Sequence, residues 1–412
     1  LTAGPVRLLE PTSGSSGGKK LIPYTASLQA EFQRGIRPWL CDLYTNIPGV
    51  CDGMSYWSVT PVTAGKTHTS GGIPVGFEDD ASYFGKVEQR LMRQLFAVDG
   101  SVKFAGSMEA FWHDTVLQLL RCSALTLISV WNPTYLTILC DYIADQARAL
   151  ARELPGCRTR LRAAQEKRFD RVFPALRVIS CWADGSAAED ADALQNYFPG
   201  IYLQPKGLLA TECFVSLPLV GETGSRLSLR SHFFEFRRLT DGNILNAGRL
   251  TPGTYELIVT TGGGFYRYCI GDVVEVLAVY PDHPPRIRFL RRRGITSDLC
   301  GEKLTEAFVR EACKKLGLER EFCLLAPEGK GYCLYTTADL SADALDAALR
   351  ESYHYDYCRT LGQLRKAEVI RVADDAHKIY LARLTKEGMR LGDIKPSYLS
   401  RKSGWGDWFR KG

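Results

Sequence analysis

The sequence predicts an α/β protein in two parts: a large α/β body that carries a β-rich subdomain, and a smaller α+β domain behind it. Three observations lead to that class. Apolar runs of strand length alternate with amphipathic helical stretches as far as Trp182. Short strands separated by turns fill residues 213–290. The cluster Arg291-Arg292-Arg293 then precedes a last stretch that mixes short strands with helices. Apolar strands alternating with helices indicate an α/β core, because each element must bury its apolar face against the other.

Taken in order, Ser27 to Tyr44 reads as a helix with Leu28, Phe32, Ile36 and Leu40 on one face. Residues 51–80 are rich in Gly, Thr and Pro and read as strand and loop, and Phe84 to Phe96 and Met108 to Leu120 read as helices. Leu125 to Val130 is an apolar strand closed by Asn132-Pro133. A long helix follows, with Leu136, Leu139, Cys140, Ile143, Ala147 and Leu150 at helical spacing. Leu176 to Trp182 is another apolar strand. In the β-rich region the expected strands are Phe214–Leu219, His232–Arg237, Tyr255–Thr261, Val273–Tyr280 and Arg286–Leu290. The last part is expected to hold strands near 321–326, 331–337, 367–372 and 378–384 and a helix from Ala342 to Arg350. Its aromatic tail, Trp405-Gly406-Asp407-Trp408-Phe409, is expected to dock on the body. The domains are therefore drawn as 1–290 and 291–412, with a hinge at 291–298.

Composition narrows the class of function. The 412 residues are 45% hydrophobic and 24% charged, an ordinary globular balance, and the net charge of +6 is spread along the chain. The Arg-rich runs at Arg158–Arg162 and Arg291–Arg293 lack the interleaved aromatics of a nucleic-acid platform, so no nucleic-acid partner is expected. Thirteen cysteines include no C-x-x-C and no Cys/His group at zinc spacing, which suits buried thiols in a reducing cytoplasm. No apolar stretch reaches the ~18–20 residues of a membrane span, and no signal peptide is visible. The chain begins at Leu1, and an N-terminal portion is expected to be missing. The expectation is a cytoplasmic monomer without membrane contact.

Four stretches carry chemistry. Thr12-Ser13-Gly14-Ser15-Ser16-Gly17-Gly18-Lys19-Lys20 can wrap a phosphate chain. Glycine lets successive N–H groups point at one anion, hydroxyls add donors, and lysine adds a point charge. It is not a Walker loop, since Lys19 stands where the second glycine of that pattern belongs. A Ser/Gly linker is the alternative. Thr211-Glu212 follows a Gly-containing turn and can offer a hydroxyl to phosphate and a carboxylate to Mg²⁺, with an exposed helix or loop Glu as the alternative. In Gly262–Val274, Asp272 follows Gly271 at the mouth of an apolar strand and can accept from ribose hydroxyls, while Phe265, Tyr266 and Tyr268 can pack near a base. A Gly-rich hairpin with an Asp turn is the alternative. In Phe289–Leu304, arginine can reach ribose or phosphate and Lys303 an acyl-phosphate oxygen. A charged linker before a helix is the alternative.

The order and separations of these motifs resemble the adenylate-forming superfamily of acyl-CoA synthetases and luciferases. Within it the chain resembles the auxin-responsive Gretchen-Hagen-type acyl acid amido synthetase family, in a bacterial-like version. The resemblance covers nearly the whole chain and rests on TSGSSGGKKLIPYT at Thr12–Thr25, ISVWNPTYL at Ile128–Leu136, FPGIYLQPKGLLATE at Phe198–Glu212, GFYRYCIGDVV at Gly264–Val274 and GEKL at Gly301–Leu304. It implies the adenylate-forming enzyme fold. It also implies a phosphate loop at Ser13, Gly14, Ser15, Ser16, Gly17 and Lys20, and an ATP motif at Thr211 and Glu212 with Glu212 as the Mg²⁺ partner. Asp272 matches the ribose-binding Asp with Tyr268 beside it, Arg292 the hinge arginine, and Lys303 the lysine facing the reacting phosphate. Catalytic roles fall to Lys303, Glu212 and Lys20. Cys269 stands where many relatives carry Arg, Gly294 where Asp is common, and helices expected before the phosphate loop are absent.

The implied chemistry has two steps. A carboxylate attacks the α-phosphate of ATP to give an acyl-adenylate and pyrophosphate, and an amine, expected to be that of an amino acid, then forms the amide. Positioning and charge neutralisation are enough for the first step. Phe111, Trp112, Trp131 and Tyr135 are the expected acid pocket, with core aromatics as the alternative. An acyl-CoA ligase passing the acyl group to coenzyme A, or a non-catalytic nucleotide-binding relative, are the competing functions.

Overall fold

A computed structural model describes residues 2, 4–11, 21–58, 68–76, 94–184, 187–292, 295–373, 375–387 and 397–411. The candidate phosphate loop Ser13, Gly14, Ser15, Ser16, Gly17 and Lys20 lies outside the described residues, as does most of the helix expected at Phe84–Phe96. The chain divides into two compact units, the first ending at Arg291 and the second running from Arg292 to Gly412.

The first unit contains two large sheets. Four parallel strands, Met54–Trp57, Leu125–Ser129, Val178–Cys181 and Tyr202–Pro205, lie side by side in that order. Leu125–Ser129 and Val178–Cys181 are buried at every position. That explains why their sequences read as continuous apolar runs rather than alternating ones. Parallel neighbours need crossovers, and helices Met108–Arg121 and Pro133–Asp145 supply them. Ser107 caps the first through the Ala110 N–H, and Asn132 caps the second through the Thr134 N–H, with Pro133 in the first turn.

Helix Ala26–Asn46 buries Leu28, Phe32, Ile36, Trp39, Leu40 and Leu43 in one stripe, as its spacing predicts. Thr25 caps it by accepting from the Leu28 N–H. Gly35 lies in that buried stripe, where a Cβ would sit 2.2 Å from the Phe214 ring. Glycine is what lets the helix reach the strand beyond it.

The second sheet has seven strands in the order Ile244–Asn246, Phe233–Arg238, Gly253–Thr260, Tyr268–Ala278, Arg286–Arg292, Ser225–Leu227 and Ser216–Pro218. Its described pairings are antiparallel. Here lies the β-rich region that the turn spacing predicts.

In the second unit, strands Cys323–Glu328 and Gly331–Thr336 form a hairpin, and Glu368–Arg371 joins it in parallel. Cys323, Leu325, Tyr332 and Leu334 face one core with helices Glu306–Lys315, Ala342–Leu349 and Tyr353–Thr360. The intervening Leu324, Ala326, Cys333 and Tyr335 face another with Tyr380 and Trp405. The period of two thus serves two layers at once. The aromatic tail docks within this second unit rather than on the large body: Trp405 is buried and stacks on Tyr380 at 5.5 Å. The strand expected near 378–384 is instead part of helix Ala376–Lys386. Ile379-Tyr380-Leu381 favour a strand locally. The chain packs with Ala376, Tyr380 and Leu384 at four-residue spacing against that core, and this helical period wins.

Gly35→Ala gains helix propensity of about 1 kcal/mol yet forces a methyl into the Phe214 ring, so a net loss of about 1–3 kcal/mol is expected in urea unfolding. Adding Phe214→Leu should restore part of it. A more stable Gly35→Ala protein would contradict the close helix–strand approach.

Candidate active site

Thr211 and Glu212 form the two-residue tip of a hairpin whose arms are Leu209–Ala210 and Cys213–Phe214. The Tyr24 hydroxyl donates to the Thr211 carbonyl at 2.6 Å, so the strand Leu21–Tyr24 is tied to the tip. Glu212 is buried to 7% exposure.

Asp272 reaches the same neighbourhood by a different device. Its strand pairs Cys269 with Ile258 and Val273 with Glu256, so three residues on one strand oppose Leu257 alone on the other. Gly271 takes φ +82° inside this bulge, where a side chain is disfavoured. The bulge re-aims the strand, and Asp272 is left 4% exposed. The Cys213 thiol is pushed well up first by burial and then by the negative charges of Glu212, Asp272 and Glu31. All three carboxylates therefore bear on one buried sulfur, although they come from a hairpin tip, a bulge and a helix.

Glu31 is the third of these and was missed by sequence reasoning. It accepts from the Gly262 N–H at 2.9 and 3.0 Å and pairs with His232 Nδ1 at 2.8 Å. His232 Nε2 accepts from the Phe214 N–H at 3.0 Å, so the proton is on Nδ1 and is donated to Glu31. Thr25 Oγ1 also donates to the Gly262 carbonyl at 3.3 Å. The Gly262-Gly263-Gly264 run is thus tied to the start of helix Ala26–Asn46. Phe265 and Tyr268 follow it as a tilted pair 4.7 Å apart, while Tyr266 is 82% exposed.

A second polar group lies at the carboxyl edge of the parallel sheet. Trp57, Ser129, Ser180 and Gln204 are neighbours in register across the four strands. Lys206, two residues past Gln204 and buried, donates to Ser129 Oγ at 2.8 Å. Its ammonium lies 4.9 Å from the Trp131 ring, 5.0 Å from Trp39 and 5.7 Å from Trp57. Indole faces stabilise a buried cation. Trp39 Nε1 donates to Gln204 Oε1 at 2.9 Å, whereas Gln204 Nε2 and Ser180 Oγ have no partner among the described residues. A lysine inside QPKGLL, directly after an apolar strand, was the available signal.

The four aromatics expected to line an acid pocket fall into two sets. Phe111, Trp112 and Tyr135 are buried together, with ring centroids 5.4 Å and 5.1 Å apart along the series. The Tyr135 hydroxyl meets that of Tyr56 at 2.7 Å. Trp131 stands apart from them, against Trp182 and Lys206. Lys303 belongs to the second unit and has φ +47°. Arg292 ends a strand, and only its backbone is described. Among the described residues the grouping of three metal-ligating side chains within 4.8 Å is Cys300, Glu302 and Cys358, and Glu212 is not in it. A single carboxylate fits a nucleotide-borne Mg²⁺, which takes one or two carboxylates besides phosphate and water.

This parallel sheet with its antiparallel companion and smaller α+β unit is the fold of the adenylate-forming enzymes. Two structures of the GH3.15 acyl acid amido synthetase, one of them in complex with 2,4-DB, align over 100% of this chain and 82% of theirs. Their TM-scores are 0.59 and 0.63, at 17% identity. Family models for the GH3 N-terminal, central and C-terminal domains match residues 1–160, 226–292 and 303–404. The chain belongs to the GH3 family. It is 28% identical over 177 residues to the putative indole-3-acetic acid-amido synthetase GH3.10 of Oryza sativa subsp. japonica, covering 40% of this chain and 36% of that one. It is 32% identical over 181 residues to the indole-3-acetic acid-amido synthetase GH3.4 of Arabidopsis thaliana, covering 40% and 29%. The aligned portion thus spans about a third of these relatives' length.

Glu31→Ala removes the acceptor of both the Gly262 N–H and the buried His232 ring. A loss of about 2–3 kcal/mol is expected in urea unfolding. Unchanged stability would mean that those bonds do not hold the glycine run.

Proposed function

We propose that this GH3 protein is an ATP-dependent acyl acid amido synthetase. It adenylates a carboxylic acid, releases pyrophosphate and transfers the acyl group to an amine, an amino acid by preference. The observation that carries this reading is a pair of buried carboxylates, Glu212 at a hairpin tip and Asp272 at a β-bulge, in a chain of GH3 family and fold. The names of its relatives, indole-3-acetic acid-amido and acyl acid amido synthetases, support the acid and the amide product.

Asp272 accepts from the ribose hydroxyls, with Tyr268 and Phe265 near the base. Thr211 offers a hydroxyl to phosphate. Glu212 holds Mg²⁺, which when bound neutralises phosphate charge. Ser13, Gly14, Ser15, Ser16, Gly17 and Lys20 cradle the phosphates, Arg292 serves the hinge, and Lys303 supplies positive charge to the reacting phosphate. The first step needs in-line positioning and charge neutralisation more than proton transfer. Phe111, Trp112, Trp131 and Tyr135 are assigned to the acid. Residues 1–290 form the adenylation domain and 291–412 the smaller one. All thirteen cysteines are free thiols, which supports a reducing cytoplasm. No helix among the described residues is long and apolar enough to cross a membrane.

With ATP and Mg²⁺, pyrophosphate release should require a carboxylic acid, and mass spectrometry should find an amide once amino acids are added. No release across a broad acid panel overturns the enzyme reading. A thioester with coenzyme A and never an amide turns it into an acyl-CoA ligase. Asp272→Ala should weaken ATP binding roughly 10–100-fold by calorimetry, the worth of hydrogen bonds to a buried charge. Unchanged affinity removes Asp272 from the site.

A further inference from the structure

Lys303 owes its setting to the residue before it. Glu302 is fully buried. Its carboxylate accepts from the Leu299 N–H at 2.6 Å, the Cys300 N–H at 2.8 Å, the Cys300 thiol at 3.4 Å and the Tyr332 hydroxyl. Tyr332, on the strand Gly331–Thr336, also meets Ser297 Oγ at 3.0 Å, and because its one phenolic proton goes to Glu302, the Ser297 hydroxyl donates to it. Asp298 Oδ1 accepts from the Gly301 N–H at 2.7 Å. Residues 298–302 therefore wrap around one carboxylate, and Tyr332 pins that carboxylate to the sheet.

Lys303 follows directly, in the left-handed region. A side-chain-bearing residue there is strained by roughly 1–3 kcal/mol and stays only when its surroundings over-determine it. Here they do. Glu302 is held on one side. On the other, Leu304 is buried, and the strand Leu304–Thr305 is paired with Thr296–Ser297. Both Glu302 oxygens are already filled by donors, so the grouping with Cys300 and Cys358 is an organised loop rather than a metal site. Burial and the charge of Asp298 push the Glu302 carboxyl up to about 7.

We infer that Glu302 is a positioning residue that acts through Lys303: its carboxylate shapes the 298–302 loop so that the kinked backbone presents the lysine in its working direction. The inference rests on the phosphate-facing role proposed for Lys303.

The test is a double-mutant cycle on acid-dependent pyrophosphate release by the full chain. Glu302→Gln keeps the shape but turns an NH₂ toward N–H donors. Its kcat should fall about tenfold with the KM for ATP little changed, as expected when a transition-state contact is misaligned. On a Lys303→Ala background, itself slowed about a hundredfold or more, Glu302→Gln should cause no further fall. A merely structural role would give the same fall on both backgrounds and overturns the inference, as does wild-type kcat in Glu302→Gln or in Lys303→Ala. If Glu302→Gln does not fold, Tyr332→Phe removes one donor to the same carboxylate. Its smaller loss, about threefold, should likewise vanish with Lys303→Ala. Wild-type protein inactive with every acid overturns the proposed function, and this inference with it. An active wild type with an additive cycle overturns this inference alone.

Discussion

Glu31 accepts hydrogen bonds from two segments that lie 201 and 231 residues further along the chain. Much of the first unit's site depends on this one carboxylate. Through the Gly262 N–H it holds the glycine run that leads into the strand of Asp272. Through His232 it reaches the Phe214 N–H, on the hairpin arm that follows Glu212. The helix carrying Glu31 is itself seated by Gly35 against Phe214 and capped by Thr25, whose hydroxyl also reaches Gly262. A single helix therefore sets the spacing between the hairpin tip and the bulge. A partly buried carboxylate can do this because hydrogen bonds to a charged group are worth about 1.5–3 kcal/mol each, twice an ordinary one.

The two candidate nucleotide-binding carboxylates are aimed by breaks in regular pairing. A regular antiparallel strand alternates its side chains strictly, so a carboxylate on the inner face would point into the apolar core. The bulge at Ile270–Asp272 and the two-residue tip at Thr211–Glu212 both escape that alternation. Val273 and Val274 resume full burial directly after the bulge, and Cys213 and Phe214 directly after the tip. Each carboxylate thus stands beside an element that cannot easily shift, which is the rigidity a positioned charge requires. Lys206 follows the same rule at the end of a parallel strand, where pairing stops and Ser129 and three indoles take over.

How much of this was legible follows from the range of the signal. The strands Leu125–Ser129 and Val178–Cys181 and the helix Ala26–Asn46 were readable because their burial is written as local periodicity. Thr211, Glu212 and Asp272 stood out as candidates because they follow glycine or small residues, although Asp272 lies inside the strand Tyr268–Ala278 rather than at its mouth. Glu31 was not, since a lone acid on a helix otherwise looks like a solvated face, and its partners are remote in sequence. Lys206 was hidden in an apolar run. The helix Ala376–Lys386 was read as a strand because Ile379-Tyr380-Leu381 outweighed a four-residue spacing that matters only once Trp405 packs against it. The bulge was half legible: Gly271 marked an irregularity, but only the register with Leu257 tells which way Asp272 turns.

At 17% identity the whole chain keeps the fold of an acyl acid amido synthetase, so apolar volume and pattern, rather than particular residues, specify that fold. Chemistry must be argued from what the fold does not need. A seven-stranded sheet has no structural use for a β-bulge that buries Asp272, because the bulge forfeits ladder hydrogen bonds and the carboxylate forfeits water. In the second unit burial drives the Glu302 carboxyl toward neutrality, and the lysine after it sits in left-handed backbone that side chains rarely adopt. Burying a carboxylate and holding a side chain in left-handed backbone each cost stability. Such departures concentrate at functional sites. Those at Asp272 and Lys303 fall on residues to which the proposed nucleotide chemistry assigns work.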